Sequence, residues 1–519
     1  MALFKNFIGW LTSPEGDDGV VRHQHPGFTM GGVNQERPDL AILVSAIDGP
    51  NANELQNRIA DAFLKCEGVS VSKINKVLKP ASGREGIDGL MSAAEQGREL
   101  LAKEGAEVIV WGLVEGTGRT VSLRFLPANP PPDGRPGSIG LGDSLDIPAR
   151  LPAEYEDIVV GVGLAAPGAI RTAIRDRMKR LLADYADRAD RFVSTLPNGL
   201  EGDSRASVLA AAANVIASDG RVNERTERYR RAIDLYRLAH ESLGRDTPGT
   251  KIALIQSHLA TTLMALSSSA DNQGAIAEAV DAYRLAADSL QRGRHSQDWA
   301  LAHMRLGLTI YRQALVTGRA KLMREAVEAL DKSLQVFTKV SSPGKWAEIM
   351  NHIGVVMTAL GEELTNDTTL ERAILVFKDS LSVRERDVVP TLWAQTTNNL
   401  GAAAFALGKR RANVGLLDQA TIAFRGAIEV YRELGETRRV SVIESNLDRV
   451  QDVRAQILAR GAQTPQGAGG GASAAPSNKT TQAQTKKAGK IEPVAKTRNK
   501  RDASGVPVSM GSRRRPTPH

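Results

Sequence analysis

Three Trp-Ala pairs, at Trp299, Trp346 and Trp393, stand 47 residues apart, and eight residues after each Trp comes a glycine: Gly307, Gly354 and Gly401. A second series keeps the same step: Ala232, Ala279, Ala326, Ala373 and Ala420. Four residues beyond each stand Tyr236, Tyr283, Leu330, Phe377 and Phe424, and three further Ala239, Ala286, Ser333, Ser380 and Ala427. A period of this length repeats a supersecondary unit. The spacings within each unit predict a pair of helices, the small residue letting the two approach and the aromatic filling the gap toward the next pair. Pro343 and Pro390, also 47 apart, mark a break before each first helix. One such pair cannot bury its apolar stripe alone, so the units must stack. Stepping the period back to Arg205-Ala206 and forward to Val440-Ser441 extends the array over 200–460, with a charge-rich last copy suited to capping.

The order large–small, then Ala-x3-aromatic-x2-small, resembles the tetratricopeptide repeat, whose usual period is about 34. The excess predicts longer helices, longer connections or both. The resemblance implies a right-handed superhelix whose first helices line an inner surface. Its groove positions, three before the glycine and four after, fall here on Ser257, Met304, Asn351 and Asn398, then Met264, Tyr311, Thr358 and Phe405. Asn351 and Asn398, with Glu348 and Gln395 one turn earlier, are suited to hydrogen-bonding an extended peptide backbone. Together with Met304 and Tyr311 they form the expected partner-binding groove; the plainer alternative is a solvated polar face. His258 and His352, one position after two of these, are read as surface or satisfied side chains.

Residues 39–150 read as a small α/β domain. Leu40–Ile47 is an apolar strand closed by Asp48-Gly49-Pro50; a helix follows with Leu55, Ile59 and Phe63 on one stripe. Val69–Leu78 alternates as a second strand, Ile87–Lys103 is a second helix, and Ala106–Val114 with Thr120–Leu126 forms a hairpin. The order β-α-β-α-β-β predicts a mixed sheet covered by helices. The run Leu101–Gly112 followed by a hairpin resembles the amino-terminal α/β domain of TolB-like proteins; similar domains precede tetratricopeptide repeats in many bacterial proteins. That resemblance implies an interaction module without a catalytic constellation. Pro127–Pro152 is expected to be a loop, and residues 151–199 connecting helices. Gly161-x-Gly163-x-x-Ala166 fits a dinucleotide fingerprint in spelling only. Asp184, at the right distance for its carboxylate, falls in a charged helical run with no second strand, so an apolar packing helix is expected.

The net charge of +8 misleads about the body, because residues 461–519 hold eleven Lys/Arg against Glu492 and Asp502. The tail is too rich in Gly, Ala, Ser and Lys to fold, and its basic residues over 479–515 offer a contact to an anionic membrane surface or nucleic acid; the bland alternative is a solubilising tail. Residues 1–38 read as mostly loop. Leu3–Leu11 is either a short capping helix or a membrane-surface peptide, and His23 and His25 lack a third metal ligand. The single cysteine, Cys66, excludes an internal disulfide. The fold class expected is α/β plus all-α: a small mixed-sheet domain, a helical solenoid and a disordered basic tail. The function expected is a cytoplasmic, non-enzymatic scaffold for protein or peptide partners, with no cofactor or metal and with peripheral membrane contact as a variant. The alternative is a regulatory subunit whose α/β domain binds a small ligand.

Overall fold

Strand β1, Leu40–Ala46, is buried along nearly its whole length, which demands cover on both faces of the sheet it centres. The computed structural model describes residues 39–463 apart from 82, 84–85, 131–133, 169–170 and 270–272. The sheet runs β2-β1-β3-β4-β5, with β2 Val69–Val77, β3 Val108–Val114, β4 Thr120–Pro127 and β5 Leu145–Pro148. β1 is parallel to β2 and β3, while β4 is antiparallel to β3 and β5. Leu40, Ile42 and Val44 turn toward α1, Ala52–Leu64. Ala41 and Leu43 turn the other way, with Ile109 and Trp111, against α2, Gly86–Glu104. The order follows the sequence reading except at β5, which pairs with β4 inside the stretch expected to be loop. A four-residue strand among prolines and glycines is too short for alternation to announce it.

Helix α3, Glu156–Ala165, contains Gly161 and Gly163 in mid-helix, where a phosphate-binding fingerprint needs a turn. They are packing positions: a Cβ on Gly163 would come within 2.5 Å of the Phe63 ring. After α4, Arg175–Ser194, the repeat array begins. Its first helices are α5 Gly202–Val222, α7 Gly249–Ser269, α9 Ser296–Thr317, α11 Pro343–Glu363 and α13 Pro390–Arg411. Their partners are α6 Thr226–Glu241, α8 Gln273–Asp288, α10 Ala320–Leu334, α12 Asp367–Leu381 and α14 Val414–Glu433, with α15 Thr437–Gln463 closing the array. The same buried cluster runs from Leu40 in β1 to Val450 in α15, so sheet domain and array share a core. Among the described residues no helix is long and apolar enough to cross a membrane. The Leu3–Leu11 stretch, the His23/His25 pair and the basic tail lie outside the described residues.

The repeat is visible contact by contact. A Cβ on Gly354 would meet the Phe377 ring at 2.6 Å, one on Gly307 would meet Leu330 at 2.8 Å, and one on Gly401 would meet Phe424 at 3.0 Å. This corrects one expectation: the large residue fills the slot over the glycine of its own pair, because a small residue there leaves room for it. Pro343 and Pro390 open α11 and α13, where the missing N–H costs nothing. Trp346 and Trp393 each lie under a cation at one register, Lys339 at 5.4 Å and Arg386 at 5.7 Å; Trp299 instead meets His303 edge-on. Arg237–Glu278 and Arg284–Glu325, ion pairs at 2.7 and 2.8 Å, link successive second helices.

Four turns between paired helices use a left-handed residue at one register: Glu224, Gly318, Thr365 and Ala412, with φ of 57°, 67°, 50° and 48°. Only Gly318 adopts this without a Cβ penalty. Thr365, exposed and β-branched, bears the most strain. Thr365→Gly is expected to raise stability by about 1 kcal/mol, read as a higher denaturation midpoint.

Candidate partner-binding site

The inner register of the first helices is set by what lies on it. A stretch of the Pro/Gly-rich segment crosses α5 and α7. Ser218 Oγ donates to the Gly137 carbonyl at 2.8 Å, and Ser207 Oγ donates to the Ser144 carbonyl and accepts from Asp146 N, both at 2.9 Å. Left-handed Gly137 sits so close to α5 that a Cβ there would lie 2.4 Å from Asn214 O. On α7, Lys251 Nζ donates to Asp146 Oδ2 at 2.8 Å, and His258 Nε2 meets Asp143 Oδ1 at 2.7 Å. Arg124 pins the segment from the sheet side, donating to the carbonyls of Leu141, Gly142 and Asp143 at 3.0–3.2 Å. On α9, Asp298 accepts from Ile87 N at 2.9 Å, and Ser296 and Gln297 donate to Asp88 at 2.9 and 2.8 Å. The first three first helices therefore present one stripe, that of Ser207, Lys251, His258 and Asp298, toward the sheet domain. His258 is a satisfied side chain, as the sequence suggested.

That stripe places the expected groove residues. Glu348 of α11 and Gln395 of α13 lie on it and are partly exposed. Asn351, Asn398, Met304 and Tyr311 are buried, each 3 % exposed or less. This corrects the offset carried over from the tetratricopeptide pattern: three residues along a helix is a rotation of about 60° away from the stripe. The amide of Asn351 is used internally, its Oδ1 accepting from Asn399 Nδ2 at 3.0 Å across the α11–α13 contact. Thr358 is likewise buried and donates to Gly354 O at 2.7 Å.

Beside Glu348 and Gln395 lies a polar seam that the sequence reading passed over. Arg384, in the turn after α12, is 4 % exposed; its Nη1 donates to Thr396 Oγ1 at 2.7 Å, and its Nε has no hydrogen-bond partner among the described residues. Burial lowers its pKa, against the opposing pull of Glu348 and Tyr431. The signal was present: the same repeat register holds Leu243, Leu290, Phe337 and Tyr431, so a cation stands where the other pairs place an apolar plug.

Two histidines of the first helices titrate low. Burial pushes His303 and His352 down to about 4 from the free value of 6.5. Below pH 6.5 the unfolded chain takes up protons that these folded groups refuse. Stability from them is thus complete above 6.5, falls with pH, and is fully lost below about 4. The urea midpoint at about pH 5 is expected below that at pH 7, and the double variant His303→Gln/His352→Gln should narrow the gap. Asp298 and Glu362, raised by burial, act in the opposite sense, so the test is wild type against double variant.

A separate cavity of about 280 Å³ opens between α1, α3 and α4, walled by Lys65, Cys66, Glu156, Asp184, Tyr185 and Arg188. Burial raises the Cys66 thiol pKa, which keeps the sulfur protonated and unreactive at neutral pH.

No protein-family model and no curated protein matches the chain. Among solved structures it is similar to a circular tandem repeat protein with novel repeat topology and enhanced subunit contact surfaces, at 13 % identity over 60 % of this chain and 86 % of that one, with a TM-score of 0.28.

Proposed function

We propose that this chain is a non-catalytic scaffold of the tetratricopeptide kind, binding protein partners as extended segments along the first-helix stripe. One observation carries the reading: the chain already lays a segment of its own, turns leading into strand β5, across that stripe, held by serine contacts to its backbone and by Lys251 and His258 on its carboxylates. A solenoid face that takes a peptide by backbone and charge in its first units offers the same chemistry in its later ones. The sheet domain then serves as the anchored end, its contacts reaching α5, α7 and α9. Cross-linking mass spectrometry on the full-length protein with its co-purified partners tests this. Cross-links are expected on α11, α13 and α15; partner cross-links confined to the sheet domain would overturn the assignment.

The cavity walled by Lys65, Cys66 and Arg188 favours a second reading, in which a small polar ligand bound there tunes partner binding. A metabolite that raises the melting temperature of wild type but not of Arg188→Ala would support it.

A further inference from the structure

The strip of α7 that seats the chain's own segment recurs two units later. Lys251, Leu254 and His258 correspond, after 94 residues, to Lys345, Glu348 and His352 of α11. In α7 the lysine and histidine, almost two helical turns apart, seat the carboxylates of Asp146 and Asp143, three residues apart. The α11 copy carries an additional cation: the Arg384 guanidinium, within electrostatic reach of both Glu348 and His352. Its side chain bonds a neutral hydroxyl, and among the described residues its Nε has no hydrogen-bond partner. A half-satisfied buried guanidinium destabilises a fold that could hold an apolar residue in its place. Four other units hold one there, so the cation is explained by something it binds. A guanidinium's preferred complement is a carboxylate.

We propose that the stripe of α11, through Lys345, His352 and Arg384, docks an internal acidic segment of a partner protein with two carboxylates three residues apart, the chemistry of Asp143-Ser144-Leu145-Asp146. This rests on the scaffold reading and names the partner's chemistry. Glu348, which pairs with Lys345 at 3.0 Å, holds the place of one ligand carboxylate and yields the lysine when the segment docks. Neutral His352 donates a ring N–H to the other, as His258 meets Asp143, and Arg384 supplies the charge from below.

The test titrates full-length protein into a fluorescein-labelled, end-capped peptide of the chain's residues 139–150, read by fluorescence anisotropy. Saturable binding is expected, and the same peptide with Asp143→Asn and Asp146→Asn should bind about ten-fold more weakly or worse. Arg384→Leu and Lys345→Met should each weaken the acidic peptide by about ten-fold, while Glu348→Gln tightens it by removing the competing carboxylate. Thermal unfolding of Arg384→Leu at or above the wild-type midpoint shows that lost binding is not lost folding. Equal affinity of wild type and Arg384→Leu, or of the acidic and amide peptides, overturns the site. Entry into the α7 strip, or binding to a second copy of the chain elsewhere, gives that same insensitivity to Arg384. If co-purified partners still cross-link to α11–α15 in Arg384→Leu, the scaffold reading stands and only this site falls.

Discussion

Phe377→Ala is expected to destabilise the array by about 3–5 kcal/mol. The ring is 1 % exposed and fills the slot over Gly354, so truncation leaves a void lined by helix backbone that cannot close without pulling α11 and α12 together. Because each unit contacts only its neighbours, faster amide exchange is expected across α11–α13, with the sheet domain little affected. Ile422 on α14 is the control: it is 72 % exposed, and Ile422→Ala should change stability by no more than about 0.5 kcal/mol. If both substitutions cost the same, ring burial over the glycine is not what locks a pair.

Arg384→Leu is expected to act in the opposite direction, raising stability by about 1–4 kcal/mol. Burial holds the guanidinium down to about 10 because its surroundings do not repay its lost hydration. Leucine restores the kind of residue that Leu290 and Phe337 supply at this register. Removing the guanidinium orphans nothing obvious, since Thr396 Oγ1 also donates to the Leu392 carbonyl at 3.0 Å. A urea midpoint below wild type would show instead that the charge stabilises its seam. A gain in stability with a loss of acidic-peptide binding is the combination that separates a functional cation from a structural one.

The repeat was legible because close packing is unforgiving. A large side chain can sit over the facing helix only where the residue beneath it is small, so a small residue recurs with a large one, as Gly354 with Phe377, Gly307 with Leu330 and Gly401 with Phe424, and the spacing between them is fixed by the helix pair. The mixed sheet was legible for a similar reason: β1 is apolar on both faces, and the glycines and prolines around it punctuate the chain. The candidate site was half legible. Glu348 and Gln395 fall on the stripe, yet Asn351 and Asn398, chosen by a pattern from shorter repeats, turn into the contact between first helices. Arg384 was readable in principle as the one cation in an apolar column, but its neighbours Thr396 and His352 come from different helices.

The sequence by itself determined that helical hairpins of one kind must stack, where each begins, and which residues lock it, since these follow from contacts a few tens of residues apart. Only the tertiary structure decided which side of the first helices faces inward and what lies on it. His258 meets Asp143 across 115 residues, and Lys251 meets Asp146 across 105. No periodicity encodes such a pairing: it exists because two separately patterned halves pack into one core, and the rotation of each helix is fixed by everything it touches at once.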